Sequence, residues 1–161
     1  WHVFLLVPVA RGTGLKGKEL SAEAYEEVLH RLRAIEKRGE LEMKVTCAPH
    51  YYRIVKEDGE TPKSAGCLAG KSFMFISHRG IAQPCGYLEI DSGDVRRDGV
   101  RTVWEGSEVF RRLRDLTLYR GKCSTCRYVR ICGGCRARAY EETGDYLQEE
   151  PLCSYREKNN Q

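Results

Sequence analysis

Eight cysteines carry the strongest chemical signal in this sequence of 161 residues. Four of them lie close together as two C-x2-C pairs, Cys123 with Cys126 and Cys132 with Cys135. The spacing within each pair is typical of metal-ligating cysteines, because two thiolates can reach one metal centre from a tight turn. We therefore expect this segment to bind a metal ion or a metal cluster.

The short interval between the two pairs favours an iron–sulfur cluster over zinc. Structural zinc sites usually place roughly 12–20 residues between such pairs, whereas closely spaced cysteines are typical of iron–sulfur ligation. Disulfides are disfavoured because cysteine falls short of the roughly 8–10% found in disulfide scaffolds. Zinc stays open as the alternative. The segment also carries basic residues that would stabilise thiolates, namely Lys122, Arg127, Arg130, Arg136 and Arg138.

Further cysteines extend the pattern on both sides of the paired segment. Cys67 precedes Gly80, and Cys85 follows that glycine after four residues, while Cys153 comes after the paired segment. The whole arrangement resembles the SPASM domain of radical S-adenosylmethionine enzymes. One departure is visible, because Cys132 and Cys135 are separated by two residues where the commoner pattern has three.

The resemblance implies one or two auxiliary 4Fe–4S clusters. It assigns the ligands in two sets, Cys67, Cys85 and Cys135 for one cluster, and Cys123, Cys126, Cys132 and Cys153 for the other. The first set lacks a fourth ligand. Cys47 is a possible additional ligand, and a small apolar residue buried in a strand is the alternative interpretation of Cys47.

Longer segments extend the resemblance to the radical S-adenosylmethionine enzymes of haem biosynthesis, which include the denitrification-haem maturation branch. These segments include KVTCAPHYYR and ICGGCRARAYEETGDYLQEEPLC. FISHRGIAQPCGYLE is most similar to the haem-forming branch, which oxidatively decarboxylates propionates of iron-coproporphyrin to vinyl groups. The resemblance implies an enzyme with a tetrapyrrole substrate and an electron donor protein as partners.

The motif that would generate the radical is not present in this sequence. The family uses C-x3-C-x2-C to hold the 4Fe–4S cluster that binds S-adenosylmethionine, and the first cysteine here is Cys47. The sequence also begins at Trp1, directly before an apolar run. We therefore expect a C-terminal fragment that is inactive alone, with S-adenosylmethionine and a further 4Fe–4S cluster bound in a preceding core.

Composition points to a globular cytoplasmic protein. Hydrophobic residues make up 41% and charged residues 31% of the chain. The apolar run at residues 3–10 is far shorter than the roughly 20 residues that a membrane span needs, and we expect neither a span nor a signal peptide. The formal net charge of +4 is too mild to predict binding to nucleic acid.

The first part of the chain predicts a strand, a helix and a second strand. Residues 2–9 and 41–47 read as strands, and Ser21 is a plausible N-cap for a helix that runs to about Arg38. This βαβ unit implies a parallel sheet, and by the resemblance it is the end of a radical S-adenosylmethionine barrel. Barrel active sites lie where the strands end, so four residues are candidates to face the substrate, with packing at a domain junction as the alternative: His50, Tyr51, Tyr52 and Arg53.

The rest of the chain predicts a small α+β domain. Residues 54–66 read as a polar linker, 72–77 and 81–85 as a β-hairpin, and 102–116 as an amphipathic helix with Ser107 as a possible N-cap. A short helix at 136–143 should stop at Gly144. The predicted fold is thus an α/β barrel piece at 1–58, followed by a cysteine-rich SPASM domain at 59–161.

Two other functions remain open from the sequence. A SPASM-type radical enzyme that modifies a peptide would contain the same cysteine pattern and would need a peptide-binding groove. A zinc-bound interaction module would instead be colourless.

Overall fold

The computed structural model describes residues 1–157, and these form two compact units. Residues 1–67 and 120–157 belong to the first unit, and residues 68–119 form the second. This division follows contacts within the chain. The predicted boundary between residues 58 and 59 separates family domains, and it stays a prediction.

The first unit contains the predicted βαβ segment and the cysteine-rich segment. Its elements are β1 (His2–Phe4), a 3-10 helix (Ala10–Leu15), α1 (Ala22–Lys37), β2 (Lys44–Thr46), α2 (His50–Glu57), α6 (Lys122–Thr125) and α7 (Arg136–Thr143). The elements of the second unit are β3 (Phe75–Ile76), β4 (Ala82–Gln83), α3 (Val95–Asp98), α4 (Val100–Gly106), α5 (Glu108–Arg114) and a 3-10 helix (Leu116–Leu118).

The strands β1 and β2 pair in parallel on either side of α1 in the sequence, as predicted. The Ser21 hydroxyl accepts a hydrogen bond from the Ala24 N–H at 3.2 Å, which confirms the predicted N-cap of α1. The strands are shorter than predicted. His2 and Phe4 of β1 are exposed, and within residues 1–157 the sheet that contains β1 has two strands.

Helix α2 corrects the predicted linker. Residues 54–57 were expected in an irregular segment, but they complete a helix that starts at His50. Ile54 and Val55 are buried in the apolar core of the first unit, together with Leu29 of α1 and Val45 of β2. The amphipathic character of so short a helix is hard to recognise before its packing partners are known.

The second unit contains the predicted hairpin, with β3 and β4 antiparallel. The predicted single helix at 102–116 is instead split into α4 and α5 at Ser107, whose extended backbone interrupts the helix. Phe110 of α5 and Val103 of α4 are both buried against Ala82. The break lets two short helices place apolar residues on the same strand.

Helix α7 begins and ends as predicted, and Gly144 ends it in the left-handed conformation. Within residues 1–157, the longest and most apolar helices still fall short of what crossing a bilayer would require.

Gly66 joins the first part of the chain to the cysteine-rich loop. Its N–H donates to the Ile131 carbonyl at 2.6 Å, and the next N–H, of Cys67, donates to the Cys132 carbonyl at 3.0 Å. A Cβ atom at position 66 would overlap the Cys132 carbonyl and approach the Pro49 Cβ to 2.9 Å. The close backbone approach therefore requires glycine.

Replacing Gly66 with Ala should lower the stability of the first unit by about 1–3 kcal/mol, since the added methyl group must displace backbone. Thermal unfolding followed by circular dichroism measures this. Gly14→Ala is the matched control, because nothing lies within 4 Å of a Cβ at that position. Equal melting temperatures for the two variants would contradict the proposed close approach.

Candidate metal centre

A cavity of about 130 Å³ in the first unit carries four cysteine side chains on its wall. These are Cys123, Cys126, Cys132 and Cys153. They are distant in sequence, yet the fold brings them to one space, and they are the four cysteines of the second set that the resemblance assigns. The assignment of individual ligands stays a prediction.

Short turns position these four thiols. Gly121, at φ +56°, starts the short helix α6, which carries Cys123 on its first turn and ends at Cys126. Gly133 and Gly134 both have positive φ and turn the chain between Cys132 and α7. Such conformations favour glycine and let the backbone run close to a ligand.

N–H groups already point at two of the sulfurs. The Gly134 N–H donates to the Cys132 Sγ at 3.4 Å, and Arg136 Nη2 donates to the Cys123 Sγ at 3.8 Å. Arg136 is fully buried, and its Nη1 donates to the carbonyls of Tyr146 and Gln148 at 3.2 and 2.7 Å. The guanidinium is therefore held in place beside the thiol.

Burial raises the pKa of the thiols of Cys126, Cys132 and Cys153. Arg53 and Lys122 also line the cavity, and their positive charges oppose the rise at Cys153. Without a metal these thiols therefore stay protonated at neutral pH. Binding of a metal centre must release their protons, as is usual for thiolate ligation.

A buried ion pair lies beside the cavity. Arg138 Nη1 donates to Glu150 Oε1 at 2.9 Å, and both side chains are almost completely buried. Burial raises the pKa of Glu150, but the charge of Arg138 and the hydrogen bonds from Arg138 and the Cys135 N–H act together in the opposite direction, and the pKa is lowered overall. Glu150 Oε2 accepts the Cys135 N–H at 2.5 Å. The sequence pattern does not single out Glu150, because nothing in it distinguishes this residue from the partly buried Glu149 beside it.

The other predicted ligands lie elsewhere. Cys135 is buried at the start of α7. Burial raises the pKa of its thiol, and the nearby Cys67 adds to this rise. Cys85 belongs to the second unit, where its Sγ accepts the Tyr87 N–H at 3.4 Å. Cys47, just after β2, has a positive φ of 58° and is only partly buried.

The four predicted substrate-facing residues lie in the first two turns of α2. His50 and Arg53 line the cavity of the four thiols. Tyr51 faces the apolar core, where its hydroxyl donates to Glu36 Oε2 at 2.5 Å. Tyr52 is half-buried. The role of these residues toward a substrate stays a prediction.

The residues around the cavity fit an iron–sulfur cluster. In residues 1–157, no three His, Cys, Asp or Glu side chains are grouped so as to hold one metal ion. The cavity carries four thiols on its wall, together with N–H donors to sulfur and the cationic side chains of Arg53 and Lys122. Cysteine thiolates, hydrogen bonds to sulfur and compensating charge are the environment of protein-bound iron–sulfur clusters.

Comparison with known proteins supports this assignment. Residues 67–136 match SPASM, an iron–sulfur cluster-binding domain. This match confirms the domain that the cysteine spacing predicts.

Relatives are similar over nearly the whole chain. The AdoMet-dependent heme synthase of Nitratidesulfovibrio vulgaris is 50% identical over 97% of this chain and 46% of the relative. The enzyme of the same name from Methanosarcina barkeri is 45% identical over 97% of the chain and 48% of the relative. The PqqA peptide cyclase of Bradyrhizobium diazoefficiens is 31% identical over 66% of the chain and 28% of the relative. The chain thus spans about half the length of the heme synthases that it matches.

Replacing Glu150 with Gln should destabilise the chain by about 3 kcal/mol, because Arg138 would keep a buried and uncompensated charge. Urea unfolding of the 161-residue chain measures the change in free energy. Glu141→Gln is the control, since Glu141 pairs with Lys16 at 3.4 Å on the surface and surface pairs contribute about 0–1 kcal/mol. A Glu150→Gln variant as stable as this control would show that the buried pair is dispensable.

Proposed function

We propose that this chain, which belongs to the family of the AdoMet-dependent heme synthases, is the auxiliary-cluster region of a haem-forming radical S-adenosylmethionine enzyme. One observation carries the proposal: four predicted cysteine ligands line one cavity in a chain that is 50% identical over 97% of its length to a heme synthase.

Four thiolates of the first unit would hold a 4Fe–4S cluster: Cys123, Cys126, Cys132 and Cys153. When bound, such a cluster can take up or pass on one electron. The Gly134 N–H and the Arg136 guanidinium donate to two of these sulfurs and would stabilise their negative charge. Arg53 and Lys122 on the cavity wall would balance the remaining charge.

The buried ion pair of Arg138 and Glu150 holds the backbone at Cys135 and beside Cys153 in a fixed position. Glu150 accepts the N–H of Cys135, which starts α7, and the N–H of Leu152, next to Cys153. Arg138 ties the same network to the ends of both strands through the carbonyls of Leu6 and Cys47. The backbone around Cys135 and Cys153 is thus attached to the βαβ segment by fixed polar contacts.

The whole enzyme would convert propionate side chains of a tetrapyrrole into vinyl groups. Each propionate would lose carbon dioxide, one hydrogen atom and one electron. The hydrogen atom would go to a radical derived from S-adenosylmethionine. The electron would be taken up at the auxiliary-cluster site of this chain or relayed through it to an electron acceptor. An electron donor protein would supply the reductant for cleavage of S-adenosylmethionine.

Cys67, Cys85 and Cys135 are proposed as ligands of a second auxiliary cluster, following the resemblance. Cys47 is the proposed fourth ligand of that set. Peptide modification is the second candidate function, and the similarity to a peptide cyclase favours it. Its coverage and identity are lower than those of the heme synthases, so it ranks below haem formation.

Replacing Cys126 with Ala should remove most of the cluster, because one of four thiolates is lost from the cavity. Each variant of the 161-residue chain is reconstituted anaerobically, and iron, sulfide and visible absorbance are measured. We expect a brown wild-type protein with at least four irons, as one cubane cluster requires. Cys126→Ala should contain about four irons fewer than the wild-type chain, which is the content of one cubane cluster.

Cys47→Ala is the matched control for this measurement, since Cys47 is a cysteine outside the cavity wall. It should keep the iron bound in the cavity. Equal iron loss from both variants, where the wild-type chain holds only one cluster, would make Cys47 a ligand of the same cluster. Stoichiometric zinc without iron or sulfide in the wild-type chain would contradict the proposed function.

The 161-residue chain alone should not cleave S-adenosylmethionine, even with a strong reductant. Reductive cleavage needs a cluster with three cysteine ligands and an open iron, which the family builds from C-x3-C-x2-C, and this sequence lacks that motif. The assay is detection of 5′-deoxyadenosine against a control without protein. Product above the control level would show that the chain generates the radical by itself.

A further inference from the structure

Helix α2 faces the four-thiol cavity with two nitrogen-bearing side chains. His50 and Arg53 are spaced i and i+3, which places them on one face of the helix, and both line the cavity. Neither is among the cysteines of the ligand pattern. Both side chains therefore need an explanation that packing of the apolar core does not give.

His50 is buried without a hydrogen-bond partner. Its exposed fraction is 1%, and within residues 1–157 neither Nδ1 nor Nε2 makes a hydrogen bond. The His50 ring packs nearly perpendicular to the Tyr25 ring, with the two ring centroids 5.2 Å apart. An unpaired buried donor costs about 1–3 kcal/mol, so a residue used only for packing would be better replaced by an aromatic ring without nitrogen.

The charged groups around His50 do not supply that partner. Glu150, Arg138, Arg53 and Glu26 all influence it electrostatically, but burial dominates and lowers its pKa to about 4. Glu150 is already bonded to Arg138 and to the Cys135 N–H, and Glu26 pairs with Arg53. The imidazole is therefore neutral near pH 7, with one N–H donor and one acceptor nitrogen.

We propose that His50 donates its N–H to a sulfur of the cluster bound in the four-thiol cavity and thereby raises the reduction potential of that cluster. The inference rests on the proposed function, because it requires a cluster in the cavity. Sulfur atoms are the acceptors that a bound cluster would place beside the imidazole. Hydrogen bonds to cluster sulfurs are among the factors that set the potential, because they stabilise the more negative reduced state.

Arg53, the other α2 side chain at the cavity, is held mainly by other protein groups. Two of its nitrogens are engaged by Glu26 and Glu57, and its guanidinium carbon lies 4.9 Å from the centre of the Tyr155 ring. Its charge is thus held near the cavity by partners of its own. Among the described residues, both ring nitrogens of His50 lack a hydrogen-bond partner, whereas Arg53 leaves only its Nε without one.

Redox titration followed by electron paramagnetic resonance tests this role in the reconstituted 161-residue chain. His50→Phe removes the N–H and keeps an aromatic ring, and His50→Gln keeps an N–H donor. Tyr51→Phe is the matched control, because Tyr51 is the next residue of α2 and faces the apolar core. Iron and sulfide content is measured for every protein first, which tests the proposed function separately.

At the midpoint potential of the wild-type chain, His50→Phe should reduce the ratio of reduced to oxidised cluster about tenfold, equivalent to about 59 mV for one electron. His50→Gln should recover at least half of the shift, and Tyr51→Phe should leave the midpoint unchanged. An unchanged midpoint in His50→Phe at full iron content would overturn the inference. Loss of iron from both His50 variants, with Tyr51→Phe still loaded, would also overturn it by making His50 a ligand.

A spectroscopic measurement covers the case in which His50→Phe fails to fold. The reduced wild-type chain, labelled with 15N-histidine, should show weak coupling of the cluster spin to 15N and to an exchangeable proton. In His50→Gln the coupling to 15N should disappear, whereas the coupling to an exchangeable proton should remain, because glutamine keeps an N–H donor. Absence of the couplings in a wild-type chain with full iron content would contradict the hydrogen bond, whereas absence of iron would contradict the proposed function instead.

Discussion

The buried ion pair of Arg138 and Glu150 is the interaction on which the rest of the first unit depends. Two charges removed from water are tolerated only when hydrogen bonds satisfy both of them. Arg138 meets this condition with the carbonyls of Leu6 and Cys47, and Glu150 with the N–H of Cys135. The pair therefore connects the ends of two parallel strands to the start of the helix that follows the cysteine pairs.

This connection explains how a loop with few large apolar side chains acquires a defined shape. The segment from Cys123 to Cys135 is held at its edges by Arg136, which bonds to the carbonyls of Tyr146 and Gln148, and by Lys122, which donates to the Cys153 carbonyl. Cationic side chains thus hold this segment in place, as apolar side chains do in an ordinary core. Their charges also favour an anionic cluster. Structural support and the electrostatics of the cavity come from one set of residues.

Much of the architecture could be predicted from local patterns. The N-cap at Ser21 and the stop at Gly144 follow from preferences that act within a few residues. The parallel pairing of the first two strands follows from the helix between them, because a helical crossover joins parallel strands. Predictions failed where packing decides. Helix α2 was missed because its apolar residues form a recognisable buried face only once they pack against Leu29 and Val45. The break at Ser107 was missed because it occurs inside a continuous helical pattern.

The sequence by itself predicted an iron–sulfur site, because cysteine spacing limits which thiols can share a metal centre, and it identified the SPASM domain, because those spacings are specific. Only the tertiary structure decided which thiols meet in one cavity and which buried side chains surround them. Glu150 and His50 show the reason. Glutamate is almost never fully buried unless it is paired, and histidine is intermediate between the buried and the exposed residue types. No local pattern predicts the burial of these two residues, since it depends on an arginine 12 residues from Glu150 and on parts of the chain that are distant in sequence.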